Sequence, residues 1–433
     1  MRKLFLFLLT VLAGATLTGC SQEDLEINDS TTETVDQGHY VSLDQALINL
    51  MPYYNEAAGT TRSTVLPLVT NLERLPVRNQ TRSSGEVAPY YIVNFADNSG
   101  FAVLSADDRL LPVYAFSTSG EIALEDTVTN PTLSYFFNNL LQQEADNVNI
   151  NEILPVPGEP YLPATKLTII AQPLLSEQVS LWNQESPYND YCPNKYLVGC
   201  TALSIAQICS YFGKPQNFQF TENRTTKTID LDWTILRNAK STDKISTAAI
   251  AKFLAYLGSK PMLNMTYGSS VSYIKTDTLK KSMPRTMQKL GFSRCEERKY
   301  NVQGAITLLK DSKIPLFIKS VFGTYTEKDG KEVFTPYKDD GHVFIIDGIA
   351  SKTLIVNNPI KSDPTLPNTY SSETFYYVHC VWGQKNHSNG YFYNPIYPSK
   401  MNILPPYSTT IDGLSMPSGW EVYTNLQYYY VIQ

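Results

Sequence analysis

Apolar residues near the start of the chain repeat at helical spacing. Residues 42–45 fit a capping box at the start of that repeat. One helix face is predicted by Leu43, Ala46, Leu47, Leu50 and Met51. A second helix is predicted behind Asn130 and Pro131, with an apolar face at Leu133, Phe136, Phe137, Leu140 and Leu141.

Strand-like runs lie between these two helices. Residues 90–95, 100–106 and 111–116 are rich in β-branched and aromatic side chains, and residues 97–100 supply turn chemistry. We therefore expect a small α+β region over residues 40–153. Residues 154–166 follow and carry four prolines, which is typical of an exposed linker open to proteolysis.

The remaining residues, 167–433, begin with loops and helices and become strand-rich after Ile314. An apolar-periodic helix starts at Cys200. Antiparallel strands are predicted at 342–346, 353–357, 375–381 and 390–393. A helical half followed by a β half predicts two lobes with a cleft between them, and the segment is long enough to bury a full core.

Composition removes several functional classes. The chain has 4 histidines in 433 residues, and it lacks HExxH, paired CxxC, GxSxG and phosphate-cradling glycine motifs. We therefore expect no metal and no cofactor. The formal net charge is −6, with no basic stretch that interleaves with aromatics, so we expect no nucleic-acid partner.

The first twenty residues look like an export signal. A basic start precedes a short apolar run that ends at Leu17-Thr18-Gly19-Cys20, which is typical of a bacterial lipobox. Cys20 would then be lipidated and anchor the protein in a membrane. Residues 21–39 are acidic and predict a flexible tether. We expect an exported lipoprotein of the outer membrane or cell surface, from which the folded domain could be released.

Cys200 is the strongest candidate nucleophile. It follows Gly199 at a predicted helix start, where the helix dipole and free N–H groups stabilise a thiolate. His342 lies 142 residues later (342 − 200), within the papain-like spacing of about 130–150 residues. The alternative is a buried structural Cys and an unrelated core His. Five of the six cysteines follow Cys20, an odd number without paired spacing, which predicts no disulfide framework and at least one free thiol.

An ordered series of motifs resembles the streptopain family of papain-clan cysteine peptidases. The blocks are residues 182–189, 199–202, 207–208, 341–348, 379–383 and 389–392. Residues 100–109 and 112–113 resemble that family's inhibitory proregion. The resemblance implies an α+β, papain-like two-lobed peptidase domain at 167–433, preceded by a small α+β proregion. It further implies a self-inhibited zymogen that acts on protein or peptide substrates.

The resemblance also assigns roles. Cys200 would be the nucleophile, and His342 would hold its thiolate as an ion pair. Gln184 would supply the oxyanion-hole amide, and Trp382 would shield the histidine from water.

One position departs from the family. Val381 stands where the family has the Asn that orients the catalytic histidine, and Gln384 stands where Trp is common. Asn357 or Asn358 would be a substitute orienter. We therefore expect a weakened peptidase, and the alternative is a non-catalytic binding or inhibitory protein on the same fold.

Overall fold

A computed structural model describes most of the chain. Its described residues are 39–60, 65–76, 88–125, 130–150, 166–328, 331–358, 369–384, 388–394, 402–403, 410–411, 414–415 and 422–432. The predicted signal peptide with Cys20, the predicted tether up to residue 38 and the predicted linker up to residue 165 lie outside them. These predictions, and the domain boundaries drawn from them, stay predictions.

Nine α-helices occur in this part of the chain. Their bounds are α1 Leu43–Ala57, α2 Pro131–Tyr135, α3 Leu141–Ile150, α4 Glu177–Ser180, α5 Cys200–Phe212, α6 Trp233–Leu236, α7 Lys244–Gly258, α8 Thr276–Lys289 and α9 Val302–Ile306.

Sixteen strands are described. Their bounds are β1 Val69–Leu75, β2 Tyr90–Phe95, β3 Phe101–Ser105, β4 Val113–Ser117, β5 Thr168–Ala171, β6 Asn217–Glu222, β7 Thr225–Asp230, β8 Arg294–Lys299, β9 Leu316–Lys328, β10 Lys331–Asn358, β11 Thr369–Val381, β12 Gly390–Asn394, β13 Asn402–Ile403, β14 Thr410–Ile411, β15 Leu414–Ser415 and β16 Val422–Ile432.

The predicted helix starts of the N-terminal region (residues 39–150) are confirmed. The Ser42 hydroxyl accepts a hydrogen bond from the Gln45 backbone N–H. Asn130 likewise caps α2 by accepting from the Leu133 N–H at 3.1 Å. Both caps satisfy backbone donors that have no partner inside the helix.

One antiparallel sheet joins this N-terminal region to the C-terminal region (described residues from 166 onward). The strand order is β1-β2-β3-β4-β12-β11-β10-β9-β16-β13, with β5 on β10 and β8 on β16. The junction pairs β4 with β12, where Tyr391 lies opposite Phe116 and Phe392 opposite Ala115. The two regions therefore share a sheet, although the sequence reads as two separate units.

The two faces of the central strands belong to different cores. Val343, Ile345 and Val381 face a helical core, which also contains residues of α5, α7 and α8. Phe344 and Trp382 face a second core, which the two regions share. Most of the apolar residues of this core come from the N-terminal region. This assignment follows the two-residue period of a strand.

The β half differs from its predicted outline in one respect. The separate strands predicted at 342–346 and 353–357 are parts of the single strand β10. A bulge between Ile346 and Gly348 interrupts the pairing with β11 without ending the strand. Pairing then continues past residue 350 because both β11 and β5 supply backbone partners there.

The order of secondary structure confirms the predicted α+β class, with a helical half before a β half. Within the described residues, no helix is long and apolar enough to cross a membrane.

Candidate active site

Gly199 and Cys200 form a sharp entry into helix α5. Gly199 has φ of 87°, which favours glycine, and a Cβ there would lie 2.2 Å from the Met265 Cε and 2.8 Å from the Ser272 carbonyl oxygen. No side chain caps the helix. The free N–H groups of its first turn are therefore available to the cysteine, as the sequence pattern predicts.

The Cys200 sulfur sits among hydrogen-bond donors. The backbone N–H groups of Cys200, Thr201 and Val343 and the Thr201 hydroxyl all favour its thiolate. Burial opposes them and is the larger effect, so the pKa of the Cys200 thiol is raised. The residue as a whole keeps partial exposure. In this state the cysteine is therefore a neutral thiol surrounded by groups that would stabilise its anion.

The hydrogen bond from Val343 links Cys200 to the strand that carries His342. Val343 follows His342 on β10, and the register of β10 with β11 ends at the pair Ile345 and Val381. The Cys200 sulfur therefore contacts β10 just beyond the point where β11 diverges. This arrangement puts the cysteine of the helical half at the residue that follows His342 in the chain.

His342 is a buried, neutral base. Burial lowers its pKa to about 4, and a hydrogen bond to the backbone of Trp382 acts in the opposite direction. Because that bond favours the protonated ring, the backbone group must be an acceptor, which is the Trp382 carbonyl. The Nε2 atom is buried and has no hydrogen-bond partner in the described part of the chain. The ring nitrogen bonded to Trp382 is therefore Nδ1.

Trp382 packs beside this histidine. Its ring centroid lies 4.7 Å from that of Phe344 and 5.2 Å from that of Phe392. Phe344 in turn stacks against the His342 ring, at 6.2 Å and 12° between planes. In these contacts the Trp382 ring reaches His342 through Phe344, and the Trp382 backbone bonds the imidazole. The predicted shielding role of Trp382 stays a prediction.

Gln184 lies in the loop that leads towards the cysteine. Its backbone carbonyl accepts a hydrogen bond from the Val198 N–H at 3.0 Å, two residues before Cys200. Asn183 shapes the turn, because its side-chain oxygen accepts from the Glu185 N–H at 3.0 Å. The loop therefore brings Gln184 next to the start of α5, which is where an oxyanion donor would be needed.

Two family comparisons match consecutive parts of the chain. The Peptidase C10 family matches residues 182–392, and the Spi protease inhibitor family matches residues 39–144. Together they span most of the folded chain, and Cys200, His342, Gln184 and Trp382 all fall in the first match. The chain belongs to the peptidase C10 family. It is a cysteine peptidase with an inhibitor-type proregion, so the predicted streptopain resemblance and fold are confirmed.

A solved structure gives a weaker likeness. It is a fragment of prointerpain A from Prevotella intermedia in which one cysteine is replaced by alanine. The identity is 18%, the TM-score is 0.44, and the alignment covers 82% of this chain and 97% of that one. A search of curated protein sequences returned no match.

Position 381 does not lie where the family motif leads one to expect the side chain that orients the histidine. Val381 is fully buried in the helical core and lies directly opposite Ile345. His342 is three residues before Ile345 on β10, so its side chain points to the other face. An Asn at position 381 would therefore not reach the imidazole, so Val381 does not deprive His342 of an orienter.

Asn357 and Asn358, suggested as residues that orient His342 in place of the family's Asn, lie too far from it. They lie at the far end of β10, where their backbones pair with Tyr370 and Thr369. Asn357 is 15 residues beyond His342 (357 − 342) on the same strand. At a rise of about 3.3 Å per residue this is roughly 50 Å, well beyond the reach of an Asn side chain.

Sequence reasoning missed a buried polar cluster behind the site. The Asp347 carboxylate accepts from the Leu175 N–H at 3.0 Å and contacts Nδ1 of His379 at 2.6 Å. This ties the segment that enters α4 to the bulge in β10. A sequence gives little signal for such a pair, because Asp347 and His379 are 32 residues apart.

Cys200 differs from the other cysteines in its surroundings. Cys192, Cys209, Cys295 and Cys380 are free thiols. Burial is the main cause that raises the pKa of each of these four, and none of them starts a helix as Cys200 does. Cys209 is fully buried in the helical core.

Proposed function

We propose that this chain is a latent, membrane-tethered cysteine endopeptidase in which Cys200 and His342 form the catalytic pair. The observation that supports it best is the contact between the Cys200 sulfur and the N–H of Val343, next to His342. This contact joins the helix start of one lobe to the histidine strand of the other. Neither Cys200 nor His342 alone would identify a catalytic site.

The residues support a two-step hydrolysis. His342 Nε2 takes the thiol proton, and the Cys200 thiolate attacks the peptide carbonyl. The oxyanion would accept hydrogen bonds from the Cys200 N–H and the Gln184 side-chain amide. The C–N bond breaks as the imidazolium gives its proton to the leaving amine. Water then attacks the thioester, His342 takes its proton, and the carboxylic acid and free thiol are released.

The state described here is suited to latency. Burial raises the pKa of Cys200 and lowers that of His342, so both groups favour their neutral forms. Nε2 makes no hydrogen bond to the sulfur. The thiolate–imidazolium pair is therefore not assembled while residues 39–144 are docked. Activation would have to admit water or bring the two side chains closer.

The docking of the N-terminal region supports self-inhibition. Its strand β4 extends the sheet of the peptidase domain, and Phe116 stacks on Tyr391 at 5.1 Å. The Tyr377 hydroxyl donates to the Val113 carbonyl at 2.8 Å. The Lys352 ammonium lies over the Tyr53 ring at 5.4 Å. Cleavage between residues 154 and 166 would cut the chain but leave these contacts intact, so release would be a separate step.

Export and lipidation at Cys20 complete the proposal. The lipobox and the acidic residues after it support anchoring at the outer membrane or cell surface. Expression of the full chain with a labelled fatty acid would test this. Label on the wild type and none on Cys20→Ala would support anchoring, whereas equal label on both would refute it.

Peptidase function is tested on the full chain, wild type and Cys200→Ala. Each is cut in the linker by an added protease, which is then inhibited, and hydrolysis of a fluorogenic peptide is followed. We expect activity only in the wild type, together with loss of activity after titration with an irreversible thiol-directed peptidyl inhibitor. A folded wild type that neither hydrolyses the peptide nor takes up the inhibitor would contradict the proposal.

A further inference from the structure

Asn389 bridges the two lobes behind the candidate catalytic pair. Its side-chain oxygen accepts a hydrogen bond from the Trp382 N–H at 2.9 Å. Its side-chain NH₂ donates to the Ser180 carbonyl at 2.9 Å. The residue is only 9% exposed, so both bonds are largely shielded from water. Strand β11 is thereby tied to the end of α4, two residues before Trp182.

The residue held by this bridge is the one that contacts the histidine. The Trp382 carbonyl accepts the hydrogen bond of His342 Nδ1. The Trp382 ring is clamped between Phe344 and Phe392. Trp382 is followed by Gly383, which has φ of 71°, and a Cβ there would lie 2.7 Å from the Leu203 side chain on α5. The backbone at Trp382 would be poorly fixed without a partner for its N–H, because β11 ends at Val381.

We propose that Asn389 is a positioning residue for His342, acting through the backbone of Trp382 and not by touching the imidazole. By fixing the Trp382 N–H it holds the backbone of this residue in place just after β11, so the carbonyl of the same residue stays aimed at Nδ1. That carbonyl can only accept, so Nδ1 carries the proton and Nε2 presents its lone pair to the cysteine. This tautomer is the one that can take a proton from Cys200. The inference rests on the proposed function, whose base is His342.

Only a side-chain amide can make both hydrogen bonds of the bridge. Asp would keep the acceptor for the Trp382 N–H but lose the donor to Ser180. Leu has a similar volume and loses both. The pair Asn389→Asp and Asn389→Leu therefore separates the two hydrogen bonds. Asn94 offers a matched control, because it is buried and exchanges two hydrogen bonds with the Ile122 backbone, at 2.7 and 2.8 Å, far from the histidine in the chain.

The tautomer is measured directly by nitrogen NMR of the full chain labelled only at histidine, in a Cys200→Ala background. The chain has 4 histidines, so His342→Gln assigns the signal of interest. We expect His342 in the parent to be almost wholly the Nδ1–H form. Asn389→Leu should give a mixture of the two tautomers, whereas Asn389→Asp and Asn94→Leu should keep the parent form. Thermal melts show which variants are folded.

The kinetic arm uses chains with Cys200 intact, after cleavage in the linker. Asn389→Leu should lower kcat about 10- to 100-fold with little change in KM, as is typical for loss of a group that orients a ligand or base. A folded Asn389→Leu with the parent tautomer and parent kcat would overturn the inference. If Asn389→Leu does not fold, Asn389→Asp is the test, because it keeps the acceptor for the Trp382 N–H: a mixture of tautomers in folded Asn389→Asp would overturn the inference. The two proposals can fail separately. If Asn389→Leu alters the tautomer but the wild type has no peptidase activity, the proposed function is rejected and the positioning role of Asn389 stands.

Discussion

Val381 and His342 lie on opposite faces of the central sheet. Val381 is opposite Ile345 in the pairing of β10 with β11, and both side chains enter the helical core. His342 shares the other face with Phe344, whose ring stacks against it. The departure from the family's Asn therefore does not remove the histidine's orienter, since the Trp382 carbonyl already contacts that ring.

We accordingly expect Val381→Asn to harm the protein without helping catalysis. A side-chain amide at this fully buried apolar position would lack hydrogen-bond partners, which typically costs about 1–3 kcal/mol. The free energy of unfolding from denaturant titration should fall by that amount, and kcat should not rise. The isosteric Val381→Thr should show a smaller loss. A gain in kcat for Val381→Asn would contradict this placement of residue 381, since it would mean that the side chain faces the imidazole.

The sequence predicts the site better where the signal is local. The capping box at Ser42, the helix start at Cys200 and the apolar strand after His342 each depend on a few adjacent residues, and all are present. Which face Val381 occupies depends on the register between two strands. The role of Asn389 depends on a loop that returns to α4. Neither is encoded in a local pattern, so sequence reasoning assigned the first wrongly and missed the second.

Selective alkylation should identify Cys200 as the reactive thiol. Burial raises the pKa of Cys192 to about 11 and of Cys295 to about 12, with Glu296 and Glu297 adding to the effect at Cys295. Burial raises the pKa of Cys200 as well, but only Cys200 among these thiols has several hydrogen-bond donors to its anion. Brief treatment of the full chain with iodoacetamide, followed by mass spectrometry, should find label first on Cys200. Earlier label on Cys295 would contradict the assignment.

The buried His342 predicts a specific loss of stability in acid. Its pKa is lowered from 6.5 to about 4, so the unfolded chain binds a proton that the folded chain does not. This contribution is absent above pH 6.5 and destabilises the fold progressively as the pH falls towards 4, by roughly 3 kcal/mol at 1.36 kcal/mol per unit. Denaturant titrations at several pH values should show this slope in Cys200→Ala.

The control for that slope is His342→Gln in the same background. It should lose less stability between pH 6.5 and 4 than its parent. Identical slopes for His342→Gln and its parent would show that His342 binds its proton as readily in the folded chain.

Glu144 should give the opposite pH dependence in the N-terminal region. Burial raises the pKa of this carboxyl to about 7, against a smaller opposing effect of its hydrogen bond with Tyr114. Because the folded-state pKa is raised, the stabilisation is present below pH 4.5 and is lost as the pH rises through 7. Glu144→Gln should therefore melt at a higher temperature than its parent at pH 8 and at a similar one at pH 4.5. Equal melting temperatures of Glu144→Gln and its parent at pH 8 would contradict the burial of the Glu144 carboxyl.

Phe116 should hold the N-terminal region on the peptidase domain. Its ring stacks on Tyr391 at 5.1 Å and makes edge contacts with Tyr377 at 5.6 Å and Tyr53 at 5.5 Å. Truncation of a buried Phe typically costs about 3–5 kcal/mol, and part of that cost here falls on the junction between β4 and β12. In a Cys200→Ala chain cut in the linker, the two pieces should co-elute on size exclusion, and Phe116→Ala should separate them.

Phe95→Ala is the matched truncation. Phe95 contacts Tyr54 at 5.5 Å inside the N-terminal region, and β2 is separated from β12 by β3 and β4. Both variants lose a buried ring and weaken the N-terminal region itself, but only Phe116→Ala removes contacts with the peptidase domain. The pieces of Phe95→Ala should therefore stay together at concentrations where those of Phe116→Ala separate. Equal separation of both variants would show that docking depends on the overall stability of the N-terminal region and not on the β4–β12 junction.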